Sequence, residues 1–405
     1  MVDVLFIFGI SVIVAVGGHQ LYERMGIPES VLMILLGLII GPTLKIIRPY
    51  EIQHLVTSIF TLSIIIILLE SGLTTDIRTA METMRTSTIF TILVLGVTTF
   101  FCGLFANFIL GWELLPSMIV GVICSGTSTL PILYFTNRMK LSKEVNQLLV
   151  FESIINDVTI ITAVTIILQA MTIALNPVRT VLSIIQYVLV ALVYGIVGSA
   201  VWTFILIKYL ENIKLKYLTT LAASILIYSF TLNHGGSGVI AVMVFSVTIG
   251  NLSEFFVSHG LVRRLVKRFF TQIEVMQDEV TFLVKNIFFF IMGLLFDIQA
   301  LNMRIIAIAS VLSGLMVLSR AISYKAIQKL DPRYSQHLLV VSLMLPRGLT
   351  AGLAAFMPLE KGVDVPYLKD VIIVMILLTN IAATAGFMAL FRSNPRQKGK
   401  GIKPS

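Results

Sequence analysis

Glu152, Ser153, Asn156 and Asp157 interrupt an otherwise apolar run from Val145 to Leu168. At ~1.5 Å per residue that run is long enough to cross a bilayer as a helix. An ionisable side chain at membrane depth costs ~2.5–3.5 kcal/mol on insertion scales, and such residues mark ion or proton pathways. Carboxylate, hydroxyl and amide oxygens are hard ligands, suited to Na+, Li+ or K+. Ser153 and Asp157 are i,i+4 neighbours on such a helix, as are Glu152 and Asn156. Glu152 and Asp157 point roughly 140° apart around it. One of them can therefore meet a base while the other faces an ion cavity.

Four more ionisable residues lie inside apolar stretches: Glu70, Lys285, Arg320 and Arg347, which with Glu152 and Asp157 make three acids against three bases. Equal numbers imply mutual pairing, and any acid left over is free to bind a cation.

Two spans that must position these groups are broken. Gly121 to Pro131 contains Ser125-Gly126-Thr127-Ser128-Thr129, and a second interruption reads Leu345-Pro-Arg-Gly-Leu-Thr-Ala-Gly352. Irregular backbone survives at membrane depth only where it is buried or lines a cavity. Paired Gly/Pro-interrupted spans in two halves of a chain point to a transporter with inverted repeats.

The chain has 405 residues, 57% hydrophobic and 13% charged. Soluble domains carry about 25% charge, so this is an all-α polytopic membrane protein. Thirteen spans are predicted: 2–18, 27–47, 55–73, 86–109, 115–136, 145–171, 180–207, 217–233, 237–256, 280–296, 303–324, 337–357 and 367–391. Val2 to Val16 has no basic leader and reads as a first membrane helix rather than a signal peptide. The longest polar stretch, Ser258 to Glu279, reads as a loop or surface helix. Cys102 and Cys124 lie in apolar runs, which excludes a disulfide scaffold. No phosphate-binding glycine loop and no HExxH spacing is present, which argues against ATP-driven transport and for a carrier rather than an enzyme.

Of thirty Lys and Arg residues, twenty-one follow odd-numbered spans or lie in the tail, and six follow even-numbered ones. That asymmetry places the N-terminus outside and the C-terminus in the cytoplasm. The net charge of +9 then reflects topology and needs no nucleic-acid partner.

Glu152-Ser153-Ile-Ile-Asn156-Asp157 resembles the E-S-x-x-N-D motif of the monovalent cation:proton antiporter-1 type, the NhaP-like sodium/proton antiporters. Ile27-Pro28, Leu36 to Pro42, Leu69-Glu70-Ser-Gly72, Ser237-Gly238, Phe288 to Gly293, Arg320 and Pro346-Arg347-Gly348 resemble the family's other motifs in order and spacing. The resemblance implies an antiporter fold of the NhaA/NapA type, with inverted repeats and discontinuous helices. It implies one transporter domain over 1–391 and a short basic tail, 392–405. Within it, a core of about 86–171 and 303–391 would move against a dimerisation part of about 1–85 and 180–300.

By the same resemblance Asp157 binds Na+ or protons in turn, with Asn156, Ser153, Glu152, Thr127 and Ser128 around the cation. Glu152 pairs with Arg320, and Arg347, Glu70 and Lys285 are structural intramembrane charges. Asn156 implies electroneutral exchange, in a homodimer of the plasma or inner membrane. No cofactor is implied beyond the transported Na+, Li+ or K+ and H+. One departure stands out: the family's span-five Thr-Asp-Pro falls on Thr127-Ser128-Thr129, so a usual carboxylate is a serine. That leaves a K+/H+ antiporter or a non-transporting, channel-like relative as alternatives.

Overall fold

Hydrocarbon offers the backbone no hydrogen-bond partner, so each spanning segment must satisfy its own N–H and C=O groups. The computed structural model meets that demand with helices alone among the described residues. These are 4–25, 28–47, 49–74, 77–139, 141–172, 177–209, 216–251, 260–298 and 301–392. Ile27, Arg48, Lys140 and the basic tail from 393 onward lie outside them.

The helices in order are α1 (Val4–Met25), α2 (Glu29–Leu38), α3 (Pro49–Thr74), α4 (Ile77–Leu104), α5 (Leu114–Ile123), α6 (Thr129–Arg138), α7 (Lys143–Thr172) and α8 (Pro177–Tyr209). Then come α9 (Lys216–Asn233), α10 (Gly238–Gly250), α11 (Gly260–Leu294), α12 (Met303–Leu330), α13 (Leu338–Leu343), α14 (Leu349–Glu360) and α15 (Leu368–Arg392). Each predicted span corresponds to one helix or to two helix halves. α2 and α4 each finish in a π-helical turn, Ile39–Thr43 and Phe105–Ile109. From Gly260 on, the polar stretch read as a loop or surface helix is part of α11, continuous with the tenth span; Ser258 and His259 lie outside the described residues. Its polar composition broke the hydropathy signal but not the helix.

Packing groups the helices in two sets. α2 lies along α11, and α3 and α8 lie along α10, with α9 beside them. In the second set α4 packs on α5, α7 and α12, and α15 packs on α12 and α14. The α2–α11 crossing depends on two glycines. A Cβ on Gly37 would run into the Phe290 carbonyl, and one on Gly293 into the Ile34 carbonyl. Small residues let membrane helices approach backbone to backbone, and here neither position has room for a methyl group.

Candidate ion-binding site

Both predicted interruptions are true breaks. α5 stops at Ile123 and α6 starts at Thr129; α13 stops at Leu343 and α14 starts at Leu349. The unwound segments meet, with the Ser128 N–H donating to the Pro346 carbonyl at 2.8 Å. Gly348 sits directly against Ser128, where a Cβ would collide with its side chain. Asn380 on α15 donates from Nδ2 to the Arg347 carbonyl at 2.7 Å.

The broken ends leave backbone groups without intrahelical partners. At the C-terminal end of α5, Arg347 supplies donors to the carbonyls of Ile123, at 3.4 Å, and Cys124. A guanidinium there also opposes the negative end of the helix dipole. Among the described residues Arg347 is therefore not paired with an acid, as the three-against-three count suggested; it closes a helix end. The N-terminal ends of α6 and α14 behave differently. Thr129, Leu349 and Thr350 from those ends line one cavity with Asp157, its volume about 280 Å³. Helix N-termini present free N–H groups and positive partial charge, which favour a carboxylate.

Asp157 stays partly open to this cavity, and among the described residues no base lies within ion-pair distance of it. Thr350 donates its hydroxyl to Asp157 Oδ1 at 2.5 Å. Ser128 also lines the cavity. The facing wall carries Lys285 and Glu70, joined as an ion pair at 3.0 Å with side chains 21% and 25% exposed. α7 thus separates its two carboxylates as the ~100° turn per residue requires.

Glu152 points the other way. It is fully buried and binds Arg320 through both oxygens, Nη1 to Oε1 at 2.7 Å and Nη2 to Oε2 at 2.5 Å. Asn156 Nδ2 donates to Glu152 Oε1 at 2.7 Å, and Thr127 Oγ1 donates to the same oxygen at 3.4 Å. Arg320 Nε donates to the Val341 carbonyl at 2.7 Å, and its guanidinium lies 5.3 Å from the Phe90 ring centre. A bidentate carboxylate–guanidinium pair with the Nε donor also bonded is a geometry that makes a buried charge tolerable.

The predicted residues therefore divide. Asp157 and Ser128 share the cavity with Glu70 and Lys285, whereas Glu152, Asn156 and Thr127 form a separate buried network with Arg320. Ser153 does not line the cavity; its hydroxyl donates to the Val150 carbonyl one turn back, at 2.8 Å. Sequence reasoning did not single out Thr350, Thr129 or Asn380. Thr350 carried a signal, since it lies inside the second interruption three residues after Arg347.

The family model described as "Sodium/hydrogen exchanger, transmembrane" matches residues 9–392. The structure of the sodium proton antiporter MjNhaP1 from Methanocaldococcus jannaschii at pH 8 is similar at a TM-score of 0.74 and 20% identity, covering 95% of this chain and 97% of that one. An electron-microscopy structure of the same antiporter matches at a TM-score of 0.68 and 20% identity, covering 100% of both chains. At such identities the likeness establishes a shared fold.

Proposed function

We propose, from the premise that this chain belongs to the transmembrane sodium/hydrogen exchanger family, that it exchanges a monovalent cation for protons at Asp157. The observation that carries the reading is a membrane-depth carboxylate open to a cavity, with no base in ion-pair reach among the described residues. Such a group is satisfied by a cation or by a proton, and each excludes the other. Competition for one carboxylate is sufficient for coupled exchange.

Asp157 supplies the charge, and Thr350 and Ser128 supply neutral oxygens beside it. Glu152, Arg320, Asn156 and Thr127 hold α7 against the broken α5–α6 pair. The set containing α4–α7 and α12–α15 moves as a core against the set containing α1–α3 and α8–α11, carrying Asp157 between the two membrane faces. Three observations support this reading: the packing in two sets, the cavity between them, and a carrier fold shared with a sodium proton antiporter. With Asn156 in the place of a second acid, exchange is electroneutral. The protein works as a homodimer in the cell membrane, its N-terminus outside and C-terminus inside, in line with the basic-residue asymmetry.

The test is proton flux driven by Na+, Li+ or K+ gradients in vesicles holding purified protein. Wild type exchanges Na+ and Li+; Asp157→Asn elutes as the same folded species and does not. Vigorous exchange by that variant would falsify the assignment of Asp157. Flux driven by K+ alone would change the cation, in keeping with the neutral Ser128, and no flux with any cation would favour a non-transporting relative.

A further inference from the structure

The seam that holds the Asp157 cavity contains a second, smaller one. α3, α7 and α14 line both. They give Glu70, Asp157 and Thr350 to the first, and Ile64, Gln169 and Glu360 to the second, whose volume is about 40 Å³. Gln169 and Glu360 lie ten or more residues along their helices from Asp157 and Thr350, or ~15–18 Å at the helical rise. Glu29 and Ser30, at the start of α2, mark the mouth of the first cavity. Leu232 and Gly238, where α9 meets α10, border the second. The two therefore sit towards opposite membrane faces.

Aromatic rings pack across the seam beside the second cavity. Phe356, on α14 between Thr350 and Glu360, meets Phe60 of α3 with ring centres 4.6 Å apart, and Phe60 meets Phe288 of α11 at 4.7 Å. All three are buried. The Asp157 cavity is the larger of the two, about 280 Å³ against about 40 Å³.

Glu360 is unusual for a residue at a helix end. Its Oε1 is covered and has no hydrogen-bond partner. A covered carboxylate oxygen without a donor is costly, and helix C-termini favour bases rather than acids. Packing does not explain the residue. The titratable groups around it are Tyr187 on α8, Tyr228 on α9 and the adjacent Lys361, and none is within ion-pair or hydrogen-bond reach of that oxygen. The cavity beside it has room for one small ion or one water.

We infer that Glu360 is a transit ligand of the exchange pathway: a carboxylate that receives the cation or proton at the face opposite the Asp157 cavity once the packed seam between the two cavities parts. Gln169 and the hydroxyls of Tyr187 and Tyr228 supply neutral oxygens around it. The inference rests on exchange at Asp157. It adds a second charged station, reached from one membrane face only.

The test is KM for Na+ offered at each face separately, in right-side-out and inverted membrane vesicles. Glu360→Gln raises KM roughly tenfold at its own face, the order expected when one charged partner is lost. It leaves KM at the other face unchanged, and Glu360→Asp recovers most of the loss. A merely structural carboxylate would shift both faces together. Equal KM changes at both faces, or none at either while Asp157→Asn remains inactive, would overturn the inference and leave the Asp157 assignment standing. Flux that survives Asp157→Asn overturns both. Glu360→Leu guards against misfolding: a gain in thermal stability with wild-type KM at both faces shows a packing defect and nothing more.

Discussion

Thr350 donates a hydrogen bond to the Asp157 carboxylate, and its hydroxyl is separable from its shape. Thr350→Val removes the 2.5 Å hydrogen bond to Asp157 while keeping the volume. Hydrogen bonds to charged groups contribute ~1.5–3 kcal/mol, so the cation KM should change by roughly tenfold or more, with little change in melting temperature. An unchanged KM would place the cation on the other oxygen of Asp157. Glu152 and Arg320 call for the opposite outcome. Either alanine substitution leaves a charge buried without its partner, at a cost of ~3–5 kcal/mol in soluble proteins. Each single variant should melt well below wild type, and the double variant should lose less than the sum; strict additivity in thermal melts would argue against direct coupling. Ser128→Asp places a second carboxylate in the Asp157 cavity. Two neighbouring carboxylates resist joint ionisation, so the flux optimum should move to higher pH, read from pH profiles of Na+- and Li+-driven flux. The types and spacing on α7 announced Glu152 and Asp157 in the sequence, while Thr350 went unnoticed. What they did not disclose was which neighbour each side chain takes: Asn156 bonds Glu152, the i,i+4 neighbour its spacing offered, whereas Ser153 turns to its own backbone rather than to Asp157.

Helices were legible where physics is coarse. Hydrocarbon thickness fixes span length, and Gly/Pro-rich runs at depth betray breaks. Finer features depended on contacts between distant segments. Arg347 looked like a partner for an acid, yet the carbonyls exposed by the end of α5 compete for it and win. The N-terminal half of α11 was hidden for a different reason, since its polar residues carry no membrane signal although they continue the helix. The α2–α11 contact shows how tightly such crossings are specified. Gly37→Ala or Gly293→Ala forces a methyl group into the opposing backbone, and overpacking of this kind costs ~1–3 kcal/mol. Both should lower the melting temperature by several degrees. Gly96→Ala, where a Cβ meets nothing within 4 Å, serves as the control and should melt as wild type or above it.

For the molecule as a whole, α12 gives a direct reading of orientation. Met303 and Leu330, at its two ends, are 80% and 69% exposed, and the native Cys102 and Cys124 are both fully buried. In whole cells a membrane-impermeant maleimide should label Met303→Cys and spare Leu330→Cys; the reverse pattern would invert the topology. The hydrogen bond from Ser128 to Pro346 has a consequence at this scale as well. It fastens the two broken spans to each other beside the Asp157 cavity. In the exchange proposed above, the oxygens around Asp157 would then travel as a fixed set, with the same spacing whichever side they face. The preference among Na+, Li+ and K+ becomes a constant of the carrier, like the gauge of a rail vehicle. Speed and apparent affinity can differ between the inward and outward journeys, but the ratio of one cation to another should not.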